Sequence, residues 1–83
     1  MSNDRDLLLT MASVGQIVKL IHVNAGHRMT HRLAELGLTP GVPLTVLQDT
    51  GGPILVSVRD SRIALGRGMA RKISVEPMDG KNE

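Results

Sequence analysis

Five short apolar-rich segments recur along the chain, separated by clusters of Gly, Pro, Asp and Ser, and one of them, 54–59, shows a clear alternation with a period of two. Such alternation is typical of β-strands, because successive side chains point to opposite faces of a sheet. Short, closely spaced strands favour a small closed or nearly closed barrel, in which the last strand pairs against the first and protects both edges. The predicted strands are 16–23, 44–48, 54–59, 62–65 and 72–76.

A helical pattern interrupts this series of segments once, within residues 24–41. Met29, Leu33 and Leu36 are spaced four and three residues apart, which places them on one face of a helix. Gly37 follows at the position where a left-handed residue ends a helix. Beyond it, Thr39-Pro40-Gly41-Val42 predicts a type II turn that returns the chain to the sheet.

Two further helical turns are predicted, one within 7–14 with Thr10 as its N-cap and one within 66–71. The predicted fold class is therefore mainly β with one or two short helices. We expect Met29 and Met69 in the core, with an adaptable binding surface as the alternative. The other predicted core residues are Leu33, Leu36, Leu38, Val46, Val56, Leu65 and Ile73.

The composition narrows the class of protein. The 83 residues suffice for one small domain, which we place at 7–77 between a disordered N-terminus, 1–6, and a disordered tail, 78–83. The chain has no Cys, so disulfides and thiolate metal sites are excluded. It also has no aromatic residue, which removes the stacking platforms of single-stranded nucleic-acid binders. The absence of Cys fits a cytoplasmic protein, the apolar runs are too short to span a membrane, and the acids before the leucine run are unlike a signal peptide.

Two motifs resemble a known family. The segment Arg32–Gly41 resembles the Arg-Leu-x-Glu-Leu-Gly-Leu-x-x-Gly pattern of FeoA, the small accessory protein of bacterial ferrous iron uptake. Ile63-Ala64-Leu65, followed by Ala70, Ile73 and Val75, resembles the C-terminal pattern of the same family. The resemblance spans residues 7–76 and implies a free-standing SH3-like barrel of about five strands. It also implies a cytoplasmic accessory or regulatory protein that binds the large membrane GTPase moving ferrous iron, without inserting into the membrane itself.

Two histidines on the predicted helix are candidate metal ligands. His27 and His31 are four residues apart, so their imidazoles can converge on one divalent ion such as iron or zinc. A third ligand would have to come from His22 or Glu35. The alternatives are an ordinary solvated helix face, or adventitious metal binding between two copies of the chain. No cofactor is required by any motif in the sequence.

Cationic residues on the helix and in 59–72 are candidates for binding a partner. The second segment holds five Arg or Lys residues and one acid, Asp60. Such a face can bind an acidic protein surface or anionic lipid, although solvated strand and turn positions are the plain alternative. Nucleic acid would have to be held by phosphate contacts alone, which argues against it as the main partner. A homo-oligomer is also left open. The predicted partner-binding residues are Arg28, Arg32, Leu38, Arg62, Arg67 and Arg71.

Catalysis has no support in the residue pattern. No Cys nucleophile exists, no Ser has a recognisable base beside it in sequence, and paired acids at helical or strand spacing do not occur. We therefore expect a protein that is not an enzyme. The leading hypothesis is an accessory protein of ferrous iron uptake, and the alternatives are a small basic nucleic-acid-binding barrel and a divalent-metal-sensing domain.

Overall fold

The computed structural model describes residues 7–78. Residues 1–6 and 79–83 lie outside this range, so the predicted disorder of the two termini stays a prediction. Met78, which we assigned to the tail, donates its amide to the carbonyl of Ile17 at 3.0 Å.

Residues 7–78 form six strands and two short α-helices. One antiparallel sheet contains all the strands, and the prediction of a mainly β, SH3-like fold is confirmed. In chain order the elements are β1 (Leu7–Leu8), a 3-10 turn (Leu9–Met11), β2 (Ile17–Val23), α1 (His27–Glu35), β3 (Pro43–Asp49), β4 (Ile54–Val58), β5 (Ser61–Leu65), α2 (Arg67–Ala70) and β6 (Ile73–Pro77).

The sheet has the order β1-β6-β2-β3-β4-β5, so β6 lies between the two N-terminal strands. The predicted pairing of the last strand with the first long one is confirmed, with Val18 opposite Pro77 and Val23 opposite Ile73. Because β2 shifts register between Leu20 and His22, its backbone turns there. Leu20 exchanges hydrogen bonds with the turn before β3, donating to Val42 at 2.9 Å and accepting from Gly41 at 2.7 Å.

One hydrophobic cluster forms the core of the described residues. Strand β4 shows why: Ile54, Val56 and Val58 are buried while the residues between them are only half-buried. Alternation of this kind gives β4 one apolar face that packs inward. Within residues 7–78 the core consists of seventeen buried hydrophobic residues and no buried polar or charged one. The predicted core positions are confirmed, except Leu36 and Met29, which are discussed below.

The N-terminal segment was predicted only in part: a helical turn does occur within 7–14, as the 3-10 turn Leu9–Met11, but a short strand precedes it. Leu7 and Leu8 pair with β6, opposite Val75 and Ser74, where we expected the start of a helical turn. The 3-10 turn that follows has no side-chain cap, so Thr10 does not act as an N-cap. A two-residue strand is too short to show a period of two in the sequence. It forms because its backbone pairs with the side of β6 that β2 leaves unpaired.

The hairpin between β4 and β5 turns one residue earlier than predicted. Val58 lies opposite Ser61, so the two turn residues are Arg59 and Asp60, where we had expected Asp60-Ser61. Arg59 has a positive φ of 56°, which the usual Gly or Asn would adopt with less strain. No helix in the described range is long and apolar enough to cross a membrane.

Candidate protein-interaction surface

Helix α1 is attached to the sheet by few contacts. Of its nine residues, seven are exposed, Thr30 is half-buried and only Leu33 is buried, at 4% exposure. The hydroxyl of Thr30 donates to the carbonyl of Ala25 at 3.2 Å. A helix this short is only marginally stable in water by itself, so its anchoring at Leu33 matters more than its own propensity.

The C-terminal end of α1 is fixed by backbone geometry. Gly37 has a φ of +94° and donates to Ala34 at 2.9 Å, while Leu38 donates to Leu33 at 2.9 Å. This pair of hydrogen bonds is the Schellman motif, which satisfies carbonyls that the helix leaves free. The predicted helix end is confirmed. The predicted type II turn is confirmed as well, because Gly41 has a φ of +95° and Val42 donates to Thr39 at 3.1 Å.

The predicted apolar face of α1 is only partly correct. Leu33 packs in the core, but Met29 is 38% exposed and Leu36 is 49% exposed. The helix touches the sheet at one turn only, so residues one turn before and after Leu33 lie over solvent. Leu38 corrects another prediction: it is 2% exposed, so it belongs to the core and has no surface with which to contact a partner.

The exposed face of α1 carries two arginines and two histidines. His27, Arg28, His31 and Arg32 are all exposed, and Glu35 is the one acid of the helix. No acid lies in the first turn and no side chain caps it, although either would have stabilised the helix. The first turn of α1 thus carries a cation, Arg28, where an acid would favour the helix, whereas Arg32 in the last turn suits the helix dipole. We call the two exposed arginines, Arg28 and Arg32, the basic face of α1.

The structure places one acid beside the histidine pair. Nδ1 of His31 lies 3.7 Å from Oε2 of Glu35, both side chains being well exposed. Three or more His, Asp or Glu side chains able to hold an ion together are not found in residues 7–78. The metal site at His27 and His31 therefore stays a prediction.

The basic residues that follow β4 fall into two groups. Arg62 and Arg71 are exposed, as expected for residues that could meet a partner. Arg67, in contrast, is bound within the chain: its Nη1 donates to Asp49 Oδ1 and to the carbonyl of Gly52, both at 2.8 Å, and its Nη2 donates to Asp49 Oδ2 at 3.2 Å. The guanidinium thus joins α2 to the loop after β3.

The Asp49–Arg67 pair was not predicted. The hydrogen bond from Arg67, followed by that from the amide of Gly51 at 3.1 Å, holds the pKa of Asp49 below its usual value. The same pairing with Asp49 raises the pKa of Arg67. The partners are eighteen residues apart, and the sequence offers one hint only, an Asp two residues before Gly51 that suits an Asx-type turn.

The described surface contains no pocket, so the candidate site is an open, charged surface. A six-strand antiparallel sheet around one core, with a short helix between its second and third strands, defines a small SH3-like domain. A model of the FeoA domain matches residues 7–77, and the chain belongs to this family. The resemblance noted at Arg32–Gly41 is confirmed.

Individual relatives agree with this assignment. "Putative Fe(2+) transport protein A" of Methanocaldococcus jannaschii is 38% identical over 77 residues, which cover 90% of this chain and 94% of that protein. A crystal structure named Iron Uptake Regulatory Protein (FeoA) is 31% identical, with a TM-score of 0.82 over 88% of this chain and 99% of that one. The solution structure of the FeoA protein from Chlorobium tepidum is 27% identical, with a TM-score of 0.83 over 92% and 74% of the two chains.

Proposed function

We propose that the chain is an accessory protein of ferrous iron uptake that binds the cytoplasmic side of the membrane GTPase moving the ion. The observation that carries this proposal is the family match over residues 7–77, together with a relative named for Fe(2+) transport that aligns over 94% of its length. The protein acts by protein–protein contact and is not an enzyme in this proposal.

The basic face of α1 is the proposed contact surface. Arg28 and Arg32 are four residues apart and both exposed, so one acidic partner surface can engage them together. Met29 and Leu36 add exposed apolar area beside these charges. Arg62 and Arg71 are further exposed cations of the proposal. We leave Arg67 out of it, because its guanidinium is already bound to Asp49 and Gly52.

Co-purification with the membrane GTPase tests this proposal. We expect Arg32→Glu to lose the GTPase and to impair ferrous iron uptake in cells, because it sets a negative charge against the acidic surface that the proposal requires. Lys72→Glu is the matched control: Lys72 is exposed, lies outside the basic face of α1 and changes the net charge equally. Equal recovery of the GTPase with both variants would contradict the proposed surface. If the unaltered protein does not recover the GTPase, the proposed partner itself is wrong.

Binding to DNA or RNA separates the nucleic-acid alternative. With no aromatic residue, binding would depend on phosphate contacts and weaken steeply as salt rises. We expect no gel-mobility shift of DNA or RNA at low salt. A salt-sensitive shift that Arg32→Glu abolishes would instead support the basic nucleic-acid-binding barrel.

Calorimetry tests the metal-sensing alternative. Fe²⁺ and Zn²⁺ are titrated into the protein and into the His27→Ala/His31→Ala variant. In our proposal neither ion is needed for binding to the GTPase, so the variant keeps the partner. Loss of both metal binding and partner binding in the variant would assign the function to these histidines.

A further inference from the structure

Strand β5 is an exposed edge of the sheet. It pairs with β4 along its whole length, Ser61–Leu65, and no other strand of residues 7–78 lies on its far side. The pairing has no bulge and the strand has no Pro, two devices that commonly protect an edge. The opposite edge, β1, is only two residues long. Strand β5 is therefore the edge with room for another strand.

The register of the hairpin shows which backbone groups are free. Because a two-residue turn joins Val58 to Ser61, these residues form a hydrogen-bonded pair, and the pattern then alternates along β5. Ser61, Ile63 and Leu65 thus direct their amides and carbonyls to β4, whereas Arg62 and Ala64 direct theirs outward. Both residues are also exposed. The edge offers two N–H and two C=O groups to a further strand.

The side chains beside this edge select what can pair with it. Arg62 and Ala64 lie on the outer face of the sheet, opposite Ser57 and Leu55 of β4. The methyl group of Ala64 is small, and Leu55 behind it is only half-buried. A branched apolar side chain on an added strand could cover both, while a carboxylate could pair with Arg62.

We propose that β5 binds an extended acidic segment of a partner protein as an added strand. In the bound segment an acid lies opposite Arg62 and a branched apolar residue lies opposite Ala64, two residues apart. Charge favours this occupant over a second copy of the chain, which would bring a second basic hairpin to the same edge: Arg59 and Arg62 flank one acid, Asp60. This surface is separate from the basic face of α1; it shares Arg62 with the cations proposed to meet the GTPase, but the peptide test does not involve the GTPase.

A labelled peptide is the direct probe. The capped sequence Ser-Thr-Val-Thr-Glu-Thr-Ser has the branched residue two positions before the acid, so antiparallel pairing with β5 sets Val opposite Ala64 and Glu opposite Arg62. Fluorescence anisotropy can follow the labelled peptide without background, because the protein contains no Trp or Tyr. We expect saturable binding, together with slower amide hydrogen exchange at Arg62 and Ala64. Replacing Glu by Lys in the peptide is expected to weaken binding about tenfold.

Backbone methylation supplies the matched control on the unaltered protein. N-methylation of the Glu and Val amides removes the donors that face β5, so binding is lost. N-methylation of the Thr between them leaves binding unchanged, because that amide faces away from β5. Equal binding of the two methylated peptides would overturn the proposal.

Variants of the protein give a second, independent arm. Ala64→Pro removes a donor that β4 does not use, so the sheet is retained and peptide binding falls; Ala64→Ser keeps the donor and keeps binding. Arg62→Glu reverses the charge at the edge and abolishes binding, whereas Lys72→Glu does not.

Protection of the Arg62 and Ala64 amides before any peptide is added would also overturn the proposal. Protection that grows with protein concentration would mean that a second copy covers the edge. Protection that disappears on deleting 1–6 or 79–83 would mean that the chain covers its own edge. Fast exchange at both amides, with slow exchange at Ile63 between them, is the result we expect.

Discussion

Strand β4 and helix α1 use their residues in opposite ways. Three of the five residues of β4 are buried, and the strand pairs on both sides, with β3 and with β5. One of the nine residues of α1 is buried, and the helix ends on a glycine turn. Residues of β4 thus determine the fold. Most residues of α1 do not contribute to the core, so their positions can hold side chains that bind a partner.

The largest expected difference in stability is between two leucine truncations, one in the core beside β4 and one at the end of α1. Leu44, in β3 beside β4, is 1% exposed, whereas Leu36 at the end of α1 is 49% exposed. We expect Leu44→Ala to lower the free energy of unfolding by about 2–5 kcal/mol, because it leaves a cavity in the core. Leu36→Ala should cost less than about 1 kcal/mol. Urea unfolding followed by circular dichroism measures both; equal losses would show that α1 is part of the core.

Alanine at two glycines tests the ends of α1. Gly37 has a φ of +94°, and an added Cβ would meet only a Val58 methyl at an ordinary 3.6 Å. The expected loss of about 1–2 kcal/mol in Gly37→Ala therefore comes from backbone strain. Gly26 has a φ of −66° and open space around it, so Gly26→Ala is the control, with a smaller loss. A neutral Gly37→Ala would mean that the helix end does not need the left-handed turn.

The Asp49–Arg67 pair joins α2 to the polar loop after β3 and so contributes to the fold. The stability that this pair adds should depend on pH. Its pairing with Arg67 lowers the pKa of Asp49 in the folded protein, so the stabilisation is present above the unfolded pKa, near 4, and is lost as pH falls through the folded pKa. We expect Asp49→Asn to be less stable than the natural protein at pH 7 and nearly equal to it in strong acid.

Asp60→Asn is the control for that pH dependence, because Asp60 is exposed in the hairpin turn and has no hydrogen bond or ion pair among the described residues. Thermal unfolding at a series of pH values is the measurement. A destabilisation by Asp49→Asn that persists unchanged in acid would show that the carboxylate charge is not what stabilises the loop.

Reversing both arginines of α1 should have the smallest effect on stability. Arg28→Glu places an acid in the first turn, where the helix dipole favours it, and Arg32→Glu places one in the last turn, where it is unfavourable. The two effects oppose each other, so we expect the free energy of unfolding to change by less than about 0.5 kcal/mol. Thermal unfolding of the double variant checks this, and a large loss would mean that these arginines stabilise the fold.

The same contrast explains what could be predicted from the sequence. Strands β2 to β6 were located to within one or two residues at each end, because a strand with one buried face shows its period in the sequence. The burial of α1 was overestimated. Met29 and Leu36 share a helix face with Leu33, but the sheet covers only Leu33 and leaves the other two exposed. A periodic pattern shows which residues share a face and not how far the neighbouring layer extends.

The candidate site was predictable only in part. The exposure of Arg28, Arg32 and Arg62 could be predicted, because these residues lie between the apolar positions of the helix and strand patterns. Arg67 has the same residue type and a similar setting, yet it is bound to Asp49 across eighteen residues of chain. Nothing local in the sequence distinguishes a cation that binds within the chain from one that remains free for a partner.

The most direct test of the account is to map, by NMR, the amides of the protein that shift when the membrane GTPase is added. We expect the largest shifts in 27–36, the exposed turns of α1, and small ones at Ile54, Val56 and Val58 in β4. In the Arg28→Glu/Arg32→Glu variant the protein should remain folded and the shifts should be absent. Binding that leaves the amides of α1 unchanged would contradict the account.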